Sequence, residues 1–460
     1  MRNSRLIFIA VAVIFMTAMY PSDCRAEINE KPFKVIGYYS GDLFDEPVEK
    51  LQTGKLTHVI YAFLIPQEDG TLVELKKPEQ LKQLVAQAHN DGAKVFIAVG
   101  GWSYQNQLLQ PVFEAIAASG EKRKLLVENI CAFVNEYGLD GVELDWEHPH
   151  ANSIADYEKL TVELKSALDL QGKELSAALN GAWSKTEGPE ASMLMTDTCL
   201  KSFSFINVMA YDMNNQDHSP LWLAETSIDY WLNRGVPAAN IVLGMPLYAR
   251  PSWLQYRELV ELNPEYAYPD YAATSPLESY YNGINTLREK TVVALSKAGG
   301  VMLFDVNEDT SDETSVVSMI DGLIARTGQL WPEEMNQYVT VILDNRELPF
   351  LAEEGLGVPY IDENNRIMMP LRKPLEAMGA AVSYDNNSRT VTVEKNGTTV
   401  TAVIDENVIH VNGKPTAMDT KAIIKENGTY IPLRYVFAAF GYNIEWHGNS
   451  RTAIISQLQR

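Results

Sequence analysis

Short apolar runs and longer amphipathic stretches alternate along the first two thirds of the chain. The runs fall at 34–39, 57–64, 94–100, 141–146, 174–179, 203–209, 241–247 and 300–304. Between them, 78–90, 121–137, 153–170, 221–234 and 284–298 place apolar residues at helical spacing. Short buried strands separated by amphipathic helices predict a parallel sheet. Eight such units predict a (β/α)8 TIM barrel over 31–328, with its chemistry at the carboxyl ends of the strands.

Past Gly328 and Pro332 the rhythm changes to alternating strands, tight turns and few helices. Pro370-Leu371-Arg372 returns as Pro432-Leu433-Arg434, Gly379 as Gly441, and Arg389-Thr390 as Arg451-Thr452, always 62 residues on. Each copy reads as a short helix opened by Pro and closed by Gly, then a hairpin turned at 386–388 or 448–450. Residues 338–460 are therefore expected to form a small α+β domain of two repeats.

The amino terminus carries Arg2 and Arg5, an apolar run over 6–20 and small residues at Cys24 and Ala26. That is the pattern of a secretory signal peptide over 1–26, with cleavage after Ala26 and a secreted product, possible wall association included in the expectation. The run is short for a membrane span, and no later run reaches spanning length. Of the three cysteines in the 460 residues, Cys131 and Cys199 remain after cleavage. Their apolar helical surroundings suit buried free thiols, with a pairing between them left open.

Apolar residues make up 46% and charged residues 21%, which excludes a disordered chain. The formal net charge of −22 argues against nucleic acid or an anionic membrane as partner. No cofactor or metal site is expected: a Walker loop, HExxH, a CxxC pair and GxSxG are all missing from the sequence. His148 and His150 lack the spacing of a metal set and read as loop residues lining a cleft.

The chemistry concentrates at Asp140-Gly141-Val142-Glu143-Leu144-Asp145-Trp146-Glu147. Side chains alternate along a strand, so Glu143, Asp145 and Glu147 share one face. Carboxylates crowded inside a barrel raise at least one pKa and keep a proton available for acid catalysis. A solvated acidic edge strand fits poorly, because Val142, Leu144 and Trp146 would then supply the sole buried face.

This stretch resembles the DxxDxDxE signature of glycoside hydrolase family 18, the chitinase family. Residues 34–39, 57–63, 99–103, 209–212 and 299–302 resemble the family's strands one, two, three, six and eight. The resemblance implies a retaining, substrate-assisted hydrolase of β-1,4-linked N-acetylglucosamine polymers such as chitin. It makes Glu147 the acid and Asp145 the residue that orients the substrate's 2-acetamido group and balances the oxazolinium charge. Glu143 would share a proton with Asp145, and Tyr211 would bind the acetamido oxygen. Asp212, Tyr38, Phe63, Trp102, Met209, Tyr248 and Phe304 become the expected substrate-binding residues. Trp146 is a further aromatic candidate, and both it and Phe63 also suit plain barrel packing.

Glu143 and Phe304 depart from the family, which usually has Asp and Trp there. Residues 249–283 leave too little room for the family's full α+β insertion, so an irregular loop and a shallow, endo-acting cleft are expected. Peptidoglycan, the N-glycan core and a catalytically weak chitin-binding lectin are the competing readings. The carboxyl-terminal repeats resemble the amino-terminal domain of copper amine oxidases. With only His410 and His447 nearby, that resemblance implies no copper; surface attachment and simple stabilisation are the roles left open.

Overall fold

In a computed structural model, the described residues are 33–41, 47–328, 335, 337–351, 354–425 and 428–458. The signal-peptide expectation lies outside them. The eight apolar runs become strands β1 (Lys34–Tyr39), β2 (His58–Leu64), β3 (Lys94–Gly101), β4 (Gly141–Trp146), β5 (Glu174–Asn180), β6 (Ile206–Met209), β7 (Ile241–Pro246) and β8 (Gly300–Phe304). All pair in parallel with their sequence neighbours, and β8 pairs with β1 to close the barrel.

Helices α1 (Pro78–Asn90), α2 (Gly120–Tyr137), α3 (Ile154–Asp169), α4 (Asp197–Ser202), α5 (Leu221–Asn233), α6 (Ile284–Lys297) and α7 (Val316–Thr327) ring it. The first unit departs from expectation. Among the described residues, only 3-10 turns at Val48–Lys50 and Thr53–Lys55 join β1 to β2. Pro47 and Gly54 punctuate that segment, and both residue types disfavour a helix interior.

Alternation along each strand builds two cores. Val142, Leu144 and Trp146 face outward beneath the helices, where Trp146 stacks on Phe113 at 5.1 Å between ring centres. Ile36, Ile60, Phe96, Phe205, Val242 and Met302 fill the barrel floor. Cys131 and Cys199 are buried and free.

Gly100 brings β3 close to β4. Its φ is +121°, and a Cβ there would lie 2.1 Å from the Asp145 carbonyl oxygen and 2.8 Å from the Phe113 ring. Both the conformation and the space exclude a side chain. Gly100→Ala is expected to destabilise the protein by about 3 kcal/mol. A lower denaturant midpoint at unchanged slope would register this, and an unchanged midpoint would refute it.

Residues 249–283 correct the expectation of an irregular loop. They form a helix (Tyr256–Leu262), a 3-10 turn (Pro264–Ala267) and a small antiparallel sheet of Arg250–Pro251, Ser279–Tyr280 and Tyr271–Ala272. A capping box opens the helix, Gln255 and Glu258 satisfying each other's backbone amides.

The carboxyl-terminal region repeats a helix and a hairpin. Helix Arg372–Ala377 precedes the Ala381–Asp385/Thr390–Lys395 hairpin, and helix Leu433–Ala439 precedes Tyr442–His447/Thr452–Gln457. Gly379 and Gly441 take φ of +80° and +79° just past the helices, the left-handed stop that favours glycine. The first hairpin sits in a five-stranded sheet. The second pairs with Thr340–Leu343 instead, so the two copies differ in their partners. The repeats share one compact unit with the barrel.

Candidate active site

β4 carries its carboxylates into the barrel, as alternation requires. Glu143 is 0% exposed. Its Oε1 accepts from the Tyr38 hydroxyl and Asn207 Nδ2, each at 3.0 Å, and its Oε2 from Ser176 Oγ. Ser176 stands directly across from Glu143 in the β4–β5 register. Burial raises the Glu143 pKa, and the three donors pull it back, leaving it at about 7.

Asp145 is 3% exposed, and its Oδ1 has no hydrogen-bond partner among the described residues. Burial raises its pKa well above the usual carboxylate range, and the neighbouring Glu147 and Glu143 raise it further. Both causes favour the protonated form of the carboxyl. Glu147 follows at the strand's end, with its pKa lifted to about 7 by burial and then by the Asp212 charge. His148 Nε2 lies 3.4 Å from Glu147 Oε2. Burial holds that imidazole near pKa 4, so the contact joins no opposite charges at neutral pH.

The loop after β6 supplies the facing wall. Asp212 takes φ +59° there, a conformation Asp tolerates better than most residues. Its Oδ2 accepts from the Tyr248 hydroxyl at 2.8 Å, and its Oδ1 lies 3.4 Å from Arg250 Nη1. His218 Nδ1 lies 3.6 Å from Asp212 Oδ1, just beyond hydrogen-bond length. Burial works against the Asp212 carboxylate, but His218, Tyr248 and Arg250 outweigh it and hold its pKa below the usual value. Tyr211 packs beside it, its ring 6.4 Å from both Phe304 and Tyr248.

Two of the expected sugar platforms lie buried in the wall. Tyr38 is 1% exposed beneath Phe304, ring centres 5.4 Å apart, and spends its hydroxyl on Glu143. Tyr248 is buried under Trp253, whose ring stacks on it at 5.5 Å. Trp102, 56% exposed, and Trp253, 60% exposed with Arg250 stacked over it at 4.2 Å, face solvent, as does Trp183 just past the end of β5. Phe63 and Phe304 are half-buried at the ends of β2 and β8, and Met209 ends β6 opposite Asn180. Asp140, at the head of the signature, lies away from this group and binds His89 Nε2 and the Val95 amide, each at 2.8 Å.

Sequence reasoning missed Ser176, Asn207, His218, Arg250 and Trp253. Ser176 and Asn207 left a signal, since each is a polar residue at an inward position of an apolar strand. Of the other three, His218 and Trp253 lie in loops and Arg250 in a two-residue strand, where periodicity carries no information. No group of three or more His, Cys, Asp or Glu among the described residues is arranged to hold a metal ion. Nor is any described helix long and apolar enough to cross a membrane.

Comparison with known proteins agrees with this geometry. A model of the family described as Glycosyl hydrolases family 18 matches residues 34–309, and one of the Copper amine oxidase N-terminal domain matches 356–455. A "Probable endochitinase" of Caenorhabditis elegans is 28% identical over 235 residues, covering 44% of this chain and 37% of that protein. A "chitinase-like effector" of Moniliophthora roreri is 28% identical over 256 residues, covering 46% and 57%. The chain thus spans less than two thirds of the length of these curated relatives. Among solved structures, a GH18 chitinase from the chitin utilization locus of Flavobacterium johnsoniae superposes with a TM-score of 0.55 at 26% identity. That match covers 64% of this chain and 94% of the other.

Proposed function

The chain belongs to glycosyl hydrolase family 18, and on that premise we propose that it is a secreted chitinase-type hydrolase of β-1,4-linked N-acetylglucosamine polymers, acting with retention of configuration. The observation that carries this reading is the buried, unpartnered Oδ1 of Asp145, one step below Glu147 on the same inner face. A buried acceptor without a donor is costly in a folded protein. The N–H of a substrate's 2-acetamido group is the donor that this site lacks.

In this mechanism Glu147 protonates the glycosidic oxygen, and the acetamido oxygen attacks the anomeric carbon as the leaving sugar departs. Asp145 orients the acetamido group and balances the positive oxazolinium ring, while Tyr211 donates a hydrogen bond to the acetamido oxygen. Glu147 then takes a proton from water, which opens the ring on the original face. No protein nucleophile is required, which accounts for an acid flanked by an orienting carboxylate rather than by an attacking one. The half-buried Phe304 floors the pocket, and Trp102 and Trp253 offer apolar faces to pyranose rings.

The test is hydrolysis of N-acetylglucosamine oligomers by the full chain, with the product anomer followed by NMR. The β-anomer is expected first; the α-anomer first, or no cleavage at any pH, would overturn the reading. The pH profile adds a sharper check. The acid must be protonated, so kcat/KM is expected to fall tenfold per unit above about pH 7. The Asp212 charge helps hold the Glu147 pKa up, so Asp212→Asn is expected to move that limb to lower pH. A limb that stays in place would remove Asp212 from the acid's electrostatics.

A further inference from the structure

Helix α6 is buried on two sides. Every residue from 287 to 294 is buried, Arg288, Glu289 and Lys290 included. An outer helix of a barrel ordinarily leaves a polar stripe in water. Here the carboxyl-terminal repeats cover it. Arg288 Nε donates to Glu347 Oε2 at 3.1 Å, and Arg326 Nη2 donates to the same carboxylate at 2.6 Å. Glu289 Oε2 accepts from His447 Nδ1 at 2.8 Å and from Ser450 Oγ at 2.6 Å. Asn285 Nδ2 donates to the Asn345 carbonyl at 2.8 Å.

The next position, turned ~100° around the helix, faces the other way. Lys290 Nζ donates to the Ser219 carbonyl, Ser219 Oγ and Asn282 Oδ1, each at 2.6 Å. Ser219 Oγ in turn donates to the Ala210 carbonyl at 2.7 Å. Residues 210 and 219 are the two ends of the loop that carries Tyr211, Asp212 and His218. Inside the loop, the Met213 amide binds the His218 carbonyl at 3.1 Å. One buried lysine Nζ therefore clasps the loop at its base, and its helix is fixed from outside by the repeats.

We propose that the carboxyl-terminal repeats buttress the catalytic pocket through α6, with Lys290 as the positioning residue that holds Tyr211 and Asp212 opposite Glu147. Lys290 touches no reacting atom. Its effect passes through the geometry of the loop, as the support of a site by its surroundings requires. The kinetic side of this proposal rests on the hydrolase reading above, and the structural side does not.

The experiment is amide hydrogen exchange on peptides covering 210–219 and 284–297 in the full chain, with oligomer kinetics alongside. Lys290→Met keeps the stem and removes three hydrogen bonds. It is expected to speed exchange across 210–219 at least tenfold and to lower kcat at least tenfold with little change in KM. Glu347→Ala lies far from the chemistry and is expected to loosen 284–297 and, through it, 210–219. Unchanged exchange over 210–219 in Lys290→Met overturns the role of Lys290. Loosening of 284–297 alone in Glu347→Ala overturns the role of the repeats. Should Lys290→Met fail to fold, Ser219→Ala must still speed exchange in the loop, and an unchanged loop there overturns the clasp. A wild-type chain that cleaves no oligomer refutes the hydrolase reading, and the exchange results still decide this one.

Discussion

Glu147→Gln is expected to lower kcat/KM on N-acetylglucosamine oligomers by about 10³-fold, within the usual range for loss of a general acid. That corresponds to about 4 kcal/mol of transition-state stabilisation. Gln keeps the shape of the side chain and cannot give up a proton, so binding should persist while turnover stops. Stability should move the other way. The folded pKa of Glu147, about 7, lies above that of an unfolded glutamate. Folding therefore favours the protonated form, and the wild type loses stability as pH rises through that window. Gln carries no such penalty, so the variant should gain on the wild type between pH 5 and pH 8. Activity retained within tenfold would assign the acid elsewhere. Activity lost together with stability at pH 8 would mark the substitution as a folding defect.

The site divides into what alternation reveals and what only tertiary folding brings together. Glu143, Asp145 and Glu147 were legible because a strand repeats every second residue, and burial on both faces left one interpretation of their side. The eight strands were legible for the same reason, as short apolar runs between helical stripes. Ser176 and Asn207 stood in plain view as polar residues in apolar strands but needed the register to link them to Glu143. The Asp212, His218, Arg250 and Trp253 group draws on two segments, 211–218 and 248–253, whose meeting follows from barrel closure. Residues 249–283 hid their small sheet because its strands are two residues long, too short for any period. The Arg288-Glu289-Lys290 run reads as a solvated helix face from sequence, since charged residues seldom lie fully buried. Only the packing of the repeats shows why those charges sit on α6, and what each one holds.

The second large effect should come from Asp145→Asn, with kcat reduced about 10²- to 10³-fold and KM little changed, as for loss of one preorganised electrostatic group. In the free protein burial and the two acidic neighbours favour the protonated form of Asp145. A cation forming beside it reverses that balance and favours the carboxylate. The interaction thus strengthens as the oxazolinium develops, and only such differential binding speeds the chemical step. Asn can still accept an N–H from the acetamido group, so ground-state binding survives, but it cannot answer the positive charge. Steady-state kinetics on one oligomer series separates the two contributions. A rise in KM at constant kcat would make Asp145 a binding group only. Equal losses in Asp145→Asn and Glu143→Gln would show the two acting as one unit, with the Tyr38, Ser176 and Asn207 donors fixing which of them ionises.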